Sequence, residues 1–288
     1  MNTKVNGLIL KLNCPDQPGI VAKMASYIAG HAGNLVELSQ FSDSLHGKFF
    51  ARLEIDTRDL DVEQKDFIDG FGTLGRSLRA EWHFRPIPYR MRTAVLVTKT
   101  DHCLNEILWR AQVGELPVEI TSIIGNRIDC CDVAKRYDIP YHHIEMDGEL
   151  RNSGFEKIHA LLQEQGVELA VLARFMQILP NWFCEEYRGR LINIHHSFLP
   201  AFIGANPYRQ AYERGVKLIG ATCHYVTSEL DAGPIIEQEV ERVQHFHSPS
   251  DLARLGRNCE RIALAKGIRY HVHDRTIIDG NRAIVFPD

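Results

Sequence analysis

Apolar and polar residues alternate from Val5 to Leu12, the period-two pattern of a strand with one buried face. Cys14-Pro-Asp-Gln-Pro-Gly19 interrupts it with turn chemistry. From Ile20 the period lengthens: Ile20, Met24, Tyr27, Ile28 and Ala29 fall on one helical face, and Gly30 or Gly33 ends the helix. Asn34 to Ser42 and Lys48 to Asp56 read as strands on either side of a turn at His46-Gly47. Val62 to Leu78 reads as a second helix and Ala80 to Phe84 as a closing strand. The order β-α-β-β-α-β predicts a ferredoxin-like unit over residues 1–85.

Arg85-Pro-Ile-Pro-Tyr-Arg-Met-Arg92 breaks both periodicities, and a linker is expected over 86–92. Beyond it the patterning changes. Thr93 to Thr98, Val118 to Ile124, Tyr141 to Ile144, Glu168 to Ala173 and Leu191 to Ile194 are short, nearly all-apolar runs, as strands buried on both faces require. Helical patterns separate them: Asp101 to Val113, Cys131 to Tyr137, a helix opened by a Ser153-x-x-Glu156 capping box, and Asn181 to Tyr187. Strands alternating with helices predict an α/β domain over 93–288 with a doubly wound, mostly parallel sheet. Ser248 to Arg269 reads as a long helix and Asp279-Gly-Asn281 as a hairpin turn, both assigned to packing. Such sheets bind ligand beyond the carboxyl ends of their strands, so chemistry is expected after Ala173 and after Ile194.

Composition narrows the classes. With 44% hydrophobic and 24% charged residues in 288, there is material for two globular cores. Net charge is -4 and no basic run stands out, which argues against a nucleic-acid partner. No apolar run reaches spanning length and the amino terminus lacks a signal-peptide layout, so no membrane partner is expected and the location is read as cytoplasmic. Seven cysteines, none in a C-x-x-C pair, fit free thiols in a reducing compartment. Gly70-Phe-Gly-Thr-Leu-Gly75 matches G-x-G-x-x-G by count, but a helical pattern precedes it where a nucleotide site needs a strand. A loose or broken helix is expected there. His195, His196 and His224, with His142 and His143, lack metal-ligand spacing, and no metal is expected.

Asn193 and His195 lie two apart at the end of a buried strand, so they share a side of it. His224 follows in the strand-like run Gly220-Ala-Thr-Cys-His-Tyr-Val-Thr, and Asp231 in a turn marked by Gly233-Pro234. An amide donor, an imidazole and a carboxylate suit acyl transfer through a tetrahedral intermediate: donors hold the oxyanion and the carboxylate moves protons. From spacing alone, a satisfied structural Asn-x-His pair remains the commoner explanation. Cys223 beside His224 would face the other way, as a core thiol.

Longer strings shift that balance. Ile192-Asn-Ile-His-His-Ser-Phe-Leu-Pro200, His224-Tyr-Val-Thr-Ser-Glu-Leu-Asp-Ala-Gly-Pro234 and Leu172-Ala-Arg-Phe-Met-Gln-Ile-Leu179 together resemble the folate-dependent formyltransferases over roughly Thr93 to Phe286. The resemblance implies that Asn193 and His195 stabilise the formyl oxyanion, that Asp231 shuttles protons, and that His224 orients Asp231 or a water. It also implies a pterin pocket from Arg174, Phe175, Met176, Gln177, Ile178 and Leu179 with Val226, Thr227 and Leu230. Folate would be substrate, with no bound cofactor. Thr98-Lys-Thr-Asp-His-Cys-Leu104 has no glycine to cradle a phosphate, and Asp101 would repel one, so a phosphorylated amine acceptor is poorly served. Phe202-Ile-Gly-Ala-Asn-Pro-Tyr-Arg-Gln-Ala-Tyr212 resembles instead the deformylase branch, in which water is the acceptor; Asn206 departs from the basic residue expected there.

Cys14-Pro-Asp-Gln-Pro-Gly-Ile-Val21 with Gly33-Asn-Leu35 resembles ACT domains, small-molecule sensors that work in pairs. This implies an amino-acid effector, glycine or methionine, near Asp16, Gln17, Pro18, Gly19, Ile20 and Asn34, in a homodimer or homotetramer. The activity expected is hydrolysis of 10-formyltetrahydrofolate, which would serve purine synthesis. The alternatives are formyl transfer to an amine and a non-enzymatic amino-acid or folate sensor.

Overall fold

The computed structural model describes residues 6–199 and 207–287. They form two compact units. One holds the described residues up to Tyr89 with Asp274–Ile277 and those from Ile284; the other holds the described part of Arg90–His273 with Ile278–Ala283.

The first unit runs β1 (Gly7–Pro15), α1 (Ile20–Gly30), β2 (Asn34–Asp43), β3 (Lys48–Asp56), α2 (Gln64–Leu78) and β4 (Glu81–Ile87). The strands pair antiparallel in the order β2-β3-β1-β4, the ferredoxin-like arrangement. Leu8, Leu10 and Leu12 alternate inward from β1 and pack with Met24 and Ile28 of α1 and Phe67 and Phe71 of α2. Each such fully buried side chain contributes about 1.5–3 kcal/mol. Gly19, at φ +85, takes the left-handed turn that admits the chain into α1.

Two features depart from the sequence expectation. Gly70 to Gly75 lies inside an unbroken α2, not a loose helix. A Cβ on Gly75 would come within 2.4 Å of the Trp82 ring, so this glycine lets the indole approach the helix. The connector is also shorter than the proline pattern predicts: β4 continues through Pro86 and Ile87, leaving only 88–90 before the next strand. Pro86 is tolerated because β4 lies at the sheet edge, where a missing N–H is not needed.

The second unit runs β5 (Met91–Val97), α3 (His102–Gln112), β6 (Val118–Gly125), α4 (Cys131–Arg136), β7 (Tyr141–His143), α5 (Leu150–Glu164), β8 (Leu169–Leu172), α6 (Asn181–Glu186), β9 (Leu191–His195), α7 (Pro207–Glu213), β10 (Leu218–Tyr225), β11 (Ile235–Arg242) and α8 (Pro249–Val272), and β12 (Thr276–Asp279) and β13 (Arg282–Val285) follow as a separate hairpin. The sheet order is β11-β10-β9-β8-β5-β6-β7, parallel from β9 to β7 and antiparallel at β10 and β11. The chain starts at β5, builds outward to β7 and returns beside β5 as β8, so the topological switch lies between β5 and β8. Ala94 and Leu96 of β5 face Phe155 and Ile158 of α5 and Phe183 of α6, while α8 packs along β9, β10 and β11. Cover on both faces accounts for the uninterrupted apolar runs.

α5 begins at Leu150, earlier than Ser153, whose hydroxyl instead bonds the Leu150 carbonyl. A capping box does open α8: Ser248 Oγ accepts from the Asp251 N–H and Asp251 accepts from the Ser248 N–H. Described residues of the 202–212 stretch form α7, which the pattern did not predict; Asn206 lies outside the described residues. The terminal hairpin, assigned by pattern to the second domain, is divided between units. Asp274 takes Lys11 Nζ at 2.9 Å and Arg85, and Arg275 reaches Glu37 at 3.2 Å.

Candidate active site

Asn193 and His195 project from β9 onto one side, as the two-residue spacing requires. β10 lies antiparallel to β9 with His224 opposite Asn193 and Thr222 opposite His195. Between Cys223 and His224 the pairing with β11 slips by one residue, a bulge of the sort that re-aims a side chain beside a site. Cys223 faces the opposite way and is packed against Gly267 of α8, where burial pushes its thiol well up.

The chain leaves β10 next to the amino end of β9, with the Val226 N–H on the Leu191 carbonyl. It then doubles back. Gly233 makes this possible, since a Cβ there would lie 1.8 Å from the Tyr225 carbonyl oxygen. Asp231, at φ +56, takes a left-handed bend that Asp tolerates better than most residues. Its carboxylate thereby reaches 3.2 Å from His195 Nδ1 and 3.7 Å from His224 Nε2.

These contacts set the chemistry. His224 Nδ1 lies 2.8 Å from the Tyr225 carbonyl, which can only accept, so Nδ1 carries the proton. Nε2 faces Asn193 Nδ2 at 3.2 Å. His195 directs Nδ1 to Asp231 and leaves Nε2 buried with no hydrogen-bond partner among the described residues. Burial opposes the Asp231 charge, yet the hydrogen bonds and electrostatic interaction with the two facing imidazoles, His195 and His224, outweigh it and hold the carboxyl far below the ordinary carboxylate range. His196, next along, is pushed down to about 4 by burial and then by Arg174 and His195.

All four residues line a cleft of about 280 Å³. The same cleft is lined by Arg174, Phe175, Met176, Gln177, Ile178 and Leu179 from the loop after β8, and by Val226, Thr227 and Leu230 from the returning loop. The first loop lies at the switch point and is tied to β5, where the Met176 N–H donates to Thr98 Oγ1, which donates to Asn126 Oδ1. Every residue expected at the catalytic centre and the folate strip is thus in one place. The six residues expected at an effector site, Asp16, Gln17, Pro18, Gly19, Ile20 and Asn34, belong to the first unit, around the start of α1 and of β2.

Sequence reasoning missed the support beneath the site. Thr222 Oγ1 accepts from the Leu199 N–H and donates to the Ser197 carbonyl, both at 3.0 Å. Gln238 Nε2 bridges Thr222 and the Leu199 carbonyl at 3.1 Å. Together they pin the segment that follows His195. The available signal was a lone threonine within the apolar part of β10, since a buried hydroxyl demands partners.

A parallel sheet switched between β5 and β8, with an amide, two imidazoles and a carboxylate over its β9–β10 edge, defines a formyltransferase-type domain. The formyl transferase family matches residues 91–268. Formyltetrahydrofolate deformylase of Bacillus subtilis is 42% identical over 278 residues, covering 96% of this chain and 93% of that one. The crystal structure of a formyltetrahydrofolate deformylase from Pseudomonas syringae superposes with a TM-score of 0.96 at 41% identity, covering 99% of this chain and 96% of that one. A glycinamide ribonucleotide transformylase from Symbiobacterium toebii matches with a TM-score of 0.66 at 30% identity, covering 70% of this chain and 97% of its own. The chain belongs to the formyltetrahydrofolate deformylase family. No helix among the described residues is long and apolar enough to cross a membrane.

Proposed function

We propose that this protein hydrolyses 10-formyltetrahydrofolate to formate and tetrahydrofolate. The observation that carries the reading is the convergence of Asp231, His195, His224 and Asn193 on a cleft also lined by the largely apolar strip from Phe175 to Leu179 and by Val226 and Leu230. The pterin lies against that strip. The formyl carbon then sits over the β9–β10 edge, with Asn193 and the free Nε2 of a protonated His195 around its oxygen.

Asp231 enters as the anion and takes a proton from water as the water oxygen bonds to the formyl carbon. The carbonyl electron pair moves to oxygen and is held by Asn193 and His195. Collapse breaks the carbon–nitrogen bond, and the proton held by Asp231 passes to the folate nitrogen. His224, bonded to Asn193 and close to Asp231, keeps both in position.

The first unit we read as an ACT-type sensor of an amino acid, glycine or methionine, acting in a homo-oligomer. We read the protein as cytoplasmic, with deformylation balancing formylated against free tetrahydrofolate and supplying formate for purine synthesis. The test is formate release by the purified protein with no amine acceptor present. Catalytic release, lost in Asp231→Asn, is expected; release only on addition of an amine would make the enzyme a transferase.

A further inference from the structure

Glu260, halfway along α8, is 1% exposed, and no step above uses it. His102 Nε2 from the start of α3 lies 2.7 Å from its carboxylate and the Tyr208 hydroxyl of α7 donates to it at 2.8 Å. Arg174 Nε, from the loop after β8, lies 3.5 Å away. Gly256, one turn earlier on α8, gives Tyr208 its room: a Cβ there would fall 2.1 Å from the hydroxyl. Two further helices and one loop thus converge on a single buried carboxylate of α8.

Net stability does not explain such a cluster, because a buried ion pair is commonly no better than apolar residues of the same volume. Geometry does. Arg174 is held at φ +65, a conformation uncommon for any residue with a Cβ. That bend starts the strip from Phe175 to Leu179. On its far side the strip is fixed by the Met176 N–H on Thr98 Oγ1. Further along, Arg151 Nη2 donates to the Ile178 carbonyl, and at the bend itself the side-chain contact is Arg174 on Glu260.

We propose that Glu260 is a positioning residue for the reaction: by holding Arg174 it maintains the left-handed bend that aims the strip into the cleft. The proposal rests on the reading of that strip as the pterin wall. Its signature is a split between binding and turnover. Glu260→Gln keeps the shape of the side chain and removes the charge that holds Arg174. Arg174→Gly keeps the left-handed bend accessible and removes the tether, so neither variant relies on the other's folding.

The experiment measures kcat and KM for 10-formyltetrahydrofolate, and Kd for tetrahydrofolate by fluorescence, on wild type, both single variants and the double. Expected is a rise in KM and Kd of about tenfold in each single variant, the scale of the strain such a bend stores, with kcat of Glu260→Gln within about threefold of wild type. The double variant is expected to be no worse than Arg174→Gly, since both remove one tether. KM and Kd within about twofold of wild type in either folded single variant, or multiplying effects in the double, overturn the proposal alone. A wild type that neither binds tetrahydrofolate nor releases formate overturns the pterin-wall reading and the proposal with it.

Discussion

Replacing Asp231 by asparagine keeps the side chain's size and its place at a left-handed bend that Asn also tolerates. Only charge and proton affinity change. Asn cannot take the proton from water, so kcat is expected to fall by about 10²–10⁴, which corresponds to roughly 2.7–5.5 kcal/mol of barrier. KM should stay within about threefold, because the wall proposed for the pterin is built by other residues. The bond from His195 at 3.2 Å loses its ionic partner, with an expected stability cost of about 1.5–3 kcal/mol near neutral pH. The sign of the pH dependence follows from the depressed carboxyl. Its contribution is fully present above the unfolded value of about 3.9 and is lost as pH falls from there towards the folded value. The gap in urea midpoint between wild type and variant therefore narrows below about pH 4. Asp231 likewise stays ionised through the neutral range, so any acid limb of kcat near pH 6 belongs to another group. Formate release at saturating substrate, with parallel urea melts, measures both. A variant that folds and retains kcat within about tenfold of wild type would refute Asp231 as the proton acceptor.

Asn193→Ala and His195→Ala each remove one oxyanion donor and are expected to lower kcat by about 10²–10³; near-normal formate release by either would remove it from that role. Thr222→Val strips the partner from the Leu199 N–H and from Gln238, and should cost about 1–3 kcal/mol in urea melts while lowering kcat through the loosened segment after His195. Gly75→Ala drives a methyl into the Trp82 ring and should cost about 1–3 kcal/mol in thermal melts, with kcat unchanged.

Much of the fold was legible because buried strands and one-sided strands carry different periodicities. The apolar runs at Val95, Ile123 and Val171 marked the parallel sheet, and the alternation of Leu8, Leu10 and Leu12 marked the half-covered one. What failed was decided by distant neighbours. Gly75 looked like a helix breaker because its reason for being glycine is an indole on β4. Pro86 looked like a linker because only its place at a sheet edge makes it harmless. Arg174 lines the cleft, and its guanidinium also meets Glu260, some 86 residues on in a helix assigned only to packing. Local patterns report the polar residues that contact ligand; they do not report the buried carboxylate that aims them.

The cleft lies beyond the carboxyl end of parallel β8 at the strip that follows it, and the rest of its wall needs a further account. His195 ends β9 as expected, but His224 comes from a strand running the other way, facing Asn193 well before the end of β9. A parallel neighbour there would place its own carboxyl-terminal loop beside His195 directly. The antiparallel β10 instead delivers its loop to the amino end of β9, about four residues away along the strand, or roughly 13 Å. Asp231 must therefore be carried back over the face of the β9–β10 pair. The bulge at His224, the close approach at Gly233 and the left-handed bend at Asp231 are three local distortions along that return path. Each is unfavourable or residue-restricted on its own, and together they place a carboxylate against two imidazoles. The antiparallel edge, which looks like an appendage to the doubly wound sheet, is thus what turns a ligand-binding crevice into one that can move a proton.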